Sequence, residues 1–421
     1  MMRRPTQLYA LAALAGVLAA PVAAQLQVPG VGVPVPPVGR VLGEVTDRLD
    51  RTVDTATAIT EREARRLLRL REAALDRLLR ANPQAIERDS AGNLARHGEL
   101  LVTGPDAASL AVLEKAGFRI LSREEIEGLD IAFVRLAVPA GMSLAEAQTR
   151  AAALAPDAQI EADTLHLEAG APIATAALPV TALAAAAAAP VEVKVGLIDG
   201  GTGASVPVAA RKGFASGAPA ASDHGSAVAS LLRAQGLTRL WAADVYGTDP
   251  AGGSASAVAK ALGWLAASGC KVVTVSLVGP RSALLEKAVI AAQGKGVVVV
   301  AAVGNDGPAA PPAYPASYSG VLAITGVDRK GRALIEAGRA LHLDYAAPGA
   351  EVWAMDAAGK RKAWRGTSFA TPLAAARVAA ALAQESNWRA ALDREARDLG
   401  TKGADATYGR GVLCESCGKK K

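Results

Sequence analysis

The chain has 421 residues, enough for two or three domains, and 51% of them are apolar, so a sizeable core can be buried. The net charge of +6 is modest and sits partly at the ends, in Arg3, Arg4 and Lys419 to Lys421, which argues against a nucleic-acid surface. Aromatic residues make up only 4% while alanine is abundant, so helices are expected to pack tightly on a sheet through small side chains.

Residues 1–24 read as a signal peptide. Arg3 and Arg4 precede the apolar run Leu8 to Ala20, and Val22, Ala23 and Ala24 offer small residues before cleavage ahead of Gln25. The run is too short to span a bilayer comfortably, no later run is long enough, and no cysteine stands near the cleavage point. Export to a periplasm or beyond, without a stable membrane anchor, is the expectation. Residues 25–97 combine a linker rich in Pro, Gly and Val (Val28 to Arg40) with a charged helical pattern from Val41 to about Ile86. There Leu67, Leu68, Leu70, Leu75, Leu78 and Leu79 recur at helical spacings among arginines, as in an amphipathic helical pair packing on a neighbour.

Residues 98–168 change rhythm. Strands are predicted at Leu100 to Val102, Phe118 to Leu121, Ile131 to Val138 and Ile160 to Leu167. Helices are predicted at Asp106 to Lys115 and from the Ser143–Glu146 capping box to Leu154. This order of strand, helix, strand, strand, helix, strand describes a small α+β ferredoxin-like domain. Residues 169–190 are mostly alanine with Pro172, Pro179 and Pro190, and read as an extended, accessible tether.

From 191 to 413 strand and helix alternate: Val193 to Asp199, His224 to Arg233, Leu240 to Val245, Ser254 to Ser268, Cys270 to Leu277, Ser282 to Gln293 and Val297 to Ala302. Such alternation predicts a doubly wound, mostly parallel sheet covered by helices, with its site at the carboxyl ends of the strands. In the tail, 414–421, Cys414 and Cys417 are expected to form a local disulfide or a reduced pair, and Cys270 is a small buried hydrophobe.

Four stretches of this last region carry chemistry. Val193 to Gly201 is a buried strand delivering Asp199 to the sheet edge, and Asp223 to Ala229 opens a helix with His224 in its first turn. Val298 to Gly307 is a strand ending in Gly304-Asn305, followed by Tyr314-Pro315-Ala316. Gly366 to Pro372 places Ser368 at a helix start, where the proline is expected to be tolerated because first-turn amides lack intrahelical acceptors. With the closing Tyr408 to Leu413, these stretches resemble the subtilisin-like serine protease family over Val191 to Leu413, in the chain order Asp, His, Ser.

The resemblance implies a serine endopeptidase working through an acyl-enzyme. Ser368 would be the nucleophile, His224 its general base and then acid, and Asp199 the carboxylate that orients the ring. Asn305 and the Ser368 amide would hold the oxyanion. Asp223 is a competing carboxylate, expected to point away from the ring. Ser276, Leu277 and Val278, with Gly304, would line the edge that pairs with a polypeptide substrate. Since Val278 stands where the family has glycine, and Val303 and Ala313 are larger than is common, small or medium apolar side chains should be preferred. Asp306 at the rim could instead admit a basic one. The ferredoxin-like domain would be the protein's own propeptide, acting as folding template and inhibitor, with processing expected between Ala171 and Pro190. No cofactor or metal is expected, because the link from Ala229 to Leu240 is too short for the calcium loop of many relatives. His97 and His166 fall in the propeptide-like part and His342 in a predicted strand. A catalytically silent binding module, or an inhibitor whose N-terminal half is the working part, are the rival readings.

Overall fold

A helix and an antiparallel sheet form the first part of the structure, a computed structural model that describes residues 61–169, 171–172, 190–415 and 417. The expected signal peptide, the linker, the predicted helical pattern as far as residue 60, most of the tether and the lysine tail lie outside the described residues. A helix over 61–81 (α1) comes first. It is followed by β1 (Ile86–Arg88), β2 (Leu94–Thr103), α2 (Ala107–Lys115), β3 (Arg119–Ile126), β4 (Ile131–Ala137), α3 (Leu144–Leu154) and β5 (Gln159–Thr164). The sheet runs β3-β4-β2-β5 with β1 added beside β2, all antiparallel, which is the ferredoxin-like order. It reaches back to Ile86, ahead of the expected start at 98, because β1 pairs antiparallel with Leu94 to Arg96 at the start of β2. Ser143 and Glu146 form the reciprocal capping box that starts α3.

Two short strands lead away from this domain, β6 (Leu167–Glu168) and β7 (Ala171–Pro172). The alternating region then supplies β8 (Val195–Asp199), β9 (Ala210–Gly213), α4 (Asp223–Ala234), β10 (Leu240–Asp244), α5 (Ala255–Ala267), β11 (Val272–Val275), β12 (Leu277–Val278), α6 (Ala283–Gly294) and β13 (Val298–Ala302). After them come β14 (Leu322–Val327), β15 (Tyr345–Pro348), β16 (Ala350–Met355), β17 (Arg361–Arg365), α7 (Thr367–Gln384) and α8 (Trp388–Glu395). Seven strands pair in parallel in the order β15-β14-β13-β11-β8-β10-β9. Both faces are apolar: Leu197, Val228, Phe369 and Leu373 pack on the α4 and α7 side, and Ile198, Leu262, Val273 and Val299 on the α5 and α6 side. Each such side chain contributes about 1.5–3 kcal/mol when fully buried. The predicted strand at His342 is absent. Residues 341–344 form a loop, held by the Asp344 carboxylate on the Ala323 amide and by His342 Nε2, 2.8 Å from the Val321 carbonyl, rather than by a ladder.

The ferredoxin-like sheet packs on α5 and α6, where Leu101, Ile126, Leu129 and Phe133 join the core of the parallel domain. A side chain at Gly263 of α5 would overlap the Glu127 carbonyl, so glycine there permits the close approach. Two carboxylates of β5 cap the two helices. Asp163 accepts from the Ser256 amide at 2.9 Å, and Glu161 from the Ala283 and Leu284 amides at 2.8 Å each. Of the leucines at helical spacing in α1, Leu75, Leu78 and Leu79 pack on Ile86, Leu94 and Leu165, while Leu70 faces solvent. Farther along α1, Arg71 Nε donates to Asp306 Oδ2 at 3.1 Å and Leu67 rests on Gly307.

Candidate active site

Asp199 is the last residue of β8, fully buried at the sheet's carboxyl edge. Its oxygens lie 2.8 and 3.0 Å from His224 Nδ1, so the ring carries its proton on that nitrogen and leaves Nε2 as the acceptor. His224 sits in the first turn of α4, which Ser222 caps through the Gly225 amide. Gly225 has no alternative, since any side chain there would overlap the Gly200 carbonyl. Burial pulls the His224 pKa down, but the charge and hydrogen bond of Asp199, aided by Glu168, outweigh it, and the net shift is upward. Asp223 points elsewhere, accepting from the Ala357 amide and pairing with Lys362.

Ser368 follows the cap of α7, which is Gly366 at φ 140°, a conformation that favours glycine. The Phe369 ring lies 5.2 Å from the His224 ring, which puts the α7 start beside the imidazole. His224 Nε2 has no hydrogen-bond partner among the described residues, because the Ser368 hydroxyl is turned to the Ala169 carbonyl instead. That same oxygen accepts from the Ser368 amide at 3.2 Å and from Asn305 Nδ2. Asn305 is aimed by Thr367, whose amide donates to Asn305 Oδ1 at 3.0 Å.

Pro372 lies past the first turn of α7, contrary to the sequence expectation. It tolerates this place because the carbonyl it leaves without a helical donor, that of Ser368, accepts from Ser276 Oγ at 2.9 Å. Ser276 thereby touches both sides of the site: its own carbonyl accepts from the Ala169 amide at 3.1 Å. Next to it Leu277 and Val278 pair antiparallel with Glu168 and Leu167, so β6 lies along β12 as an added strand. Gly304 faces Val278.

Thr367 and Glu168 escaped the sequence reading, and His166 entered it only as part of the propeptide-like domain. Thr367 had a signal, its place in Gly366-Thr367-Ser368. The other two had none, because they reach the site only through the fold. Ligand atoms of Glu168, Asp199 and His224 lie within 4.8 Å of one another. Although Glu168 as a residue stays exposed, lost hydration of its carboxyl raises it to about 7, opposed by His224 and reinforced by Asp199 and Asp244. A carbonyl held by two N–H donors, with a hydroxyl against it and an imidazole–carboxylate pair alongside, is equipped for acyl transfer.

Residues 203–411 match the sequence profile described as the Subtilase family, a span that includes His224, Asn305 and Ser368 and begins just after Asp199. Subtilisin BL of Lederbergia lenta is 32% identical over 242 residues, covering 52% of this chain and 88% of that protein. Subtilisin DY of Bacillus licheniformis is 33% identical over 247 residues, with the same coverage. Fervidolysin of Fervidobacterium pennivorans, described as a keratinolytic enzyme related to subtilisin, superposes with a TM-score of 0.62 at 18% identity. The match covers 80% of this chain and 63% of that one, a likeness of fold. No helix among the described residues is long and apolar enough to cross a membrane. Asp199 and His224 are thus disposed as in a catalytic triad, and the chain belongs to the subtilase family of serine-type endopeptidases.

Proposed function

We propose that the protein is a secreted endopeptidase made as a self-processing precursor, and that Ser368, His224 and Asp199 carry its chemistry. Ser368 Oγ attacks a peptide carbonyl and passes its proton to His224 Nε2, which returns it to the leaving amine, while Asp199 holds the tautomer and stabilises the imidazolium. Asn305 Nδ2 and the Ser368 amide receive the oxyanion. Ser276, Leu277, Val278 and Gly304 hold the polypeptide substrate. The observation that carries this reading is the Ala169 carbonyl, which sits on both N–H donors with the Ser368 hydroxyl against it. The domain ahead of Ala169 acts as the chain's own inhibitor, since β6 occupies the edge that a substrate needs. Export rests on the pattern of residues 1–24.

The test is Ser368→Ala in the full-length chain. Wild type should be cut into two pieces and its larger piece labelled by a fluorophosphonate probe, and the variant should show neither. Unlabelled, uncut wild type would favour the silent-module reading, and a variant that is still cut would remove Ser368 from its role.

A further inference from the structure

The closing segment of the chain carries a Cys-x-x-Cys pair that the proteolytic site does not use. Cys414 and Cys417 are bridged, with their Cα atoms 5.2 Å apart, and the Cys417 amide donates to the Cys414 carbonyl at 2.8 Å to close a turn. Three features separate this bridge from one that only staples a core. First, Cys414 lies in the left-handed region, at φ 55°, a conformation that costs energy for a residue bearing a Cβ. Opening the sulfur–sulfur bond lets that backbone relax. Second, the pair is reachable. Cys414 is 7% exposed and packs in the α4 and α7 core, but Cys417 is half-buried, and both line an open cavity of about 600 Å³ with Arg377, Glu395, Arg397 and Glu415. Third, reduced sulfurs would have a partner. Gln235, at the end of α4, places Oε1 3.6 Å from Cys414 Sγ and 3.1 Å from Cys417 Sγ. A bridge has no proton to give this oxygen, whereas either thiol can donate to it. Arg377 pairs with Glu395 and Arg397 with Glu415, so access and backbone strain, not a charged neighbour, set the reactivity. Cys270 is the contrast: it is buried, which pushes its thiol up to about 12, and is closed to the same chemistry.

We propose that Cys414 and Cys417 form a reversible exchange site for small thiols of the glutathione type, and that opening it frees the closing segment from the end of α4. The sulfur of a small thiolate attacks Cys417 Sγ, the more accessible of the two, and the bond to Cys414 Sγ breaks. The electron pair leaves on Cys414, which takes a proton and donates it in a hydrogen bond to Gln235 Oε1. A second small thiolate attacks the first at the mixed disulfide, which releases Cys417 as a thiol and the two small molecules as their own disulfide. The bridge thus gains two electrons and two protons, and the small thiols lose them. The reverse exchange closes it in an oxidising compartment.

The experiment exposes the folded full-length chain, carrying Ser368→Ala so that proteolysis does not interfere, to millimolar reduced glutathione. Free thiols are blocked with N-ethylmaleimide at intervals and located by intact mass and peptide mapping. Cys414 and Cys417 should take up one maleimide each while Cys270 stays unlabelled, and oxidised glutathione should restore the bridge. Given oxidised glutathione, a Cys414→Ser chain should hold one glutathione on Cys417, and a Cys417→Ser chain should load Cys414 about tenfold more slowly, because that sulfur is covered. Hydrogen exchange at the Leu413 and Cys414 amides should quicken on opening while that of β8 and β11 stays as it was. A bridge that opens only together with labelling of Cys270, as it would in urea, is a staple reached by unfolding, and the inference falls. Equal loading of the two sulfurs overturns Cys417 as the point of attack, and unchanged exchange at residues 413 and 414 overturns the release. The labelling of the bridged chain decides the first point even if neither single variant folds.

Discussion

His166, just ahead of β6, and Glu168 within it enter the cleft with opposite demands on protons. His166 is fully buried, neither ring nitrogen has a well-formed hydrogen bond among the described residues, and burial takes its pKa to about 4 against the weaker pulls of the Thr164 backbone and Asp163. Its neutral form is the one accommodated, so the stability it supports is present above its ordinary 6.5 and is lost as pH falls toward 4. At about 1.4 kcal/mol per unit this amounts to about 3 kcal/mol. Glu168, raised to about 7, runs the other way: its contribution is present below 4.5 and is lost as pH rises through 7. In a Ser368→Ala precursor, His166→Phe should raise Tm relative to its parent increasingly as pH falls from 6.5. Glu168→Gln should do so increasingly as pH rises above 4.5. Shifts of the same sign with pH for both would refute the assignment. Of these residues the sequence exposed little. His224 could be singled out because its neighbours in the chain form a motif, whereas the surroundings of His166, Gly253 and Gly279, come from distant segments. The misplaced reason for Pro372 has the same origin, since its compensation is a hydroxyl from another element.

Among the elements, β5 determines how the two domains meet. Glu161 and Asp163 alternate to the same face and reach the starts of α6 and α5, where free amides and the helix dipoles favour negative charge. Asp163 also accepts from Arg135 Nη1 at 2.9 Å, so its charge is matched from its own domain. Glu161→Gln and Asp163→Asn should each weaken docking by about 1–3 kcal/mol. The expected sign is faster hydrogen exchange at the β6 and β12 amides, and unchanged exchange in both variants would show that the caps are incidental. Strands and helices themselves were largely legible because apolar periodicity changes from two to three or four at each boundary. The run Cys270 to Leu277 shows the limit. It reads as one strand, yet it breaks at Ser276, where the backbone turns from the sheet partner to the peptide in the cleft.

For the molecule as a whole, the motifs in sequence order sufficed for the family and the architecture, because the family's chemistry sits at strand ends and helix starts that short-range patterns mark. The arginine-rich segment was legible as amphipathic helix packing on a neighbour, but which neighbour was not, since its contacts with Asp306 and Gly307 join residues far apart in the chain. That clasp bears on how activity emerges. In the proposed self-processing, scission at one bond would free no cleft, since the severed piece is gripped at two separate points: by β6 along β12 and by α1 on the loop next to Asn305. Detachment at either point is reversed by the other, as for any bivalent plug. Peptide turnover should therefore trail scission, with a delay that Arg71→Ala shortens severalfold, an effect in keeping with a partly exposed ion pair worth up to about 1 kcal/mol. Turnover that rises in step with scission in both proteins would mean that the helix contributes nothing to latency.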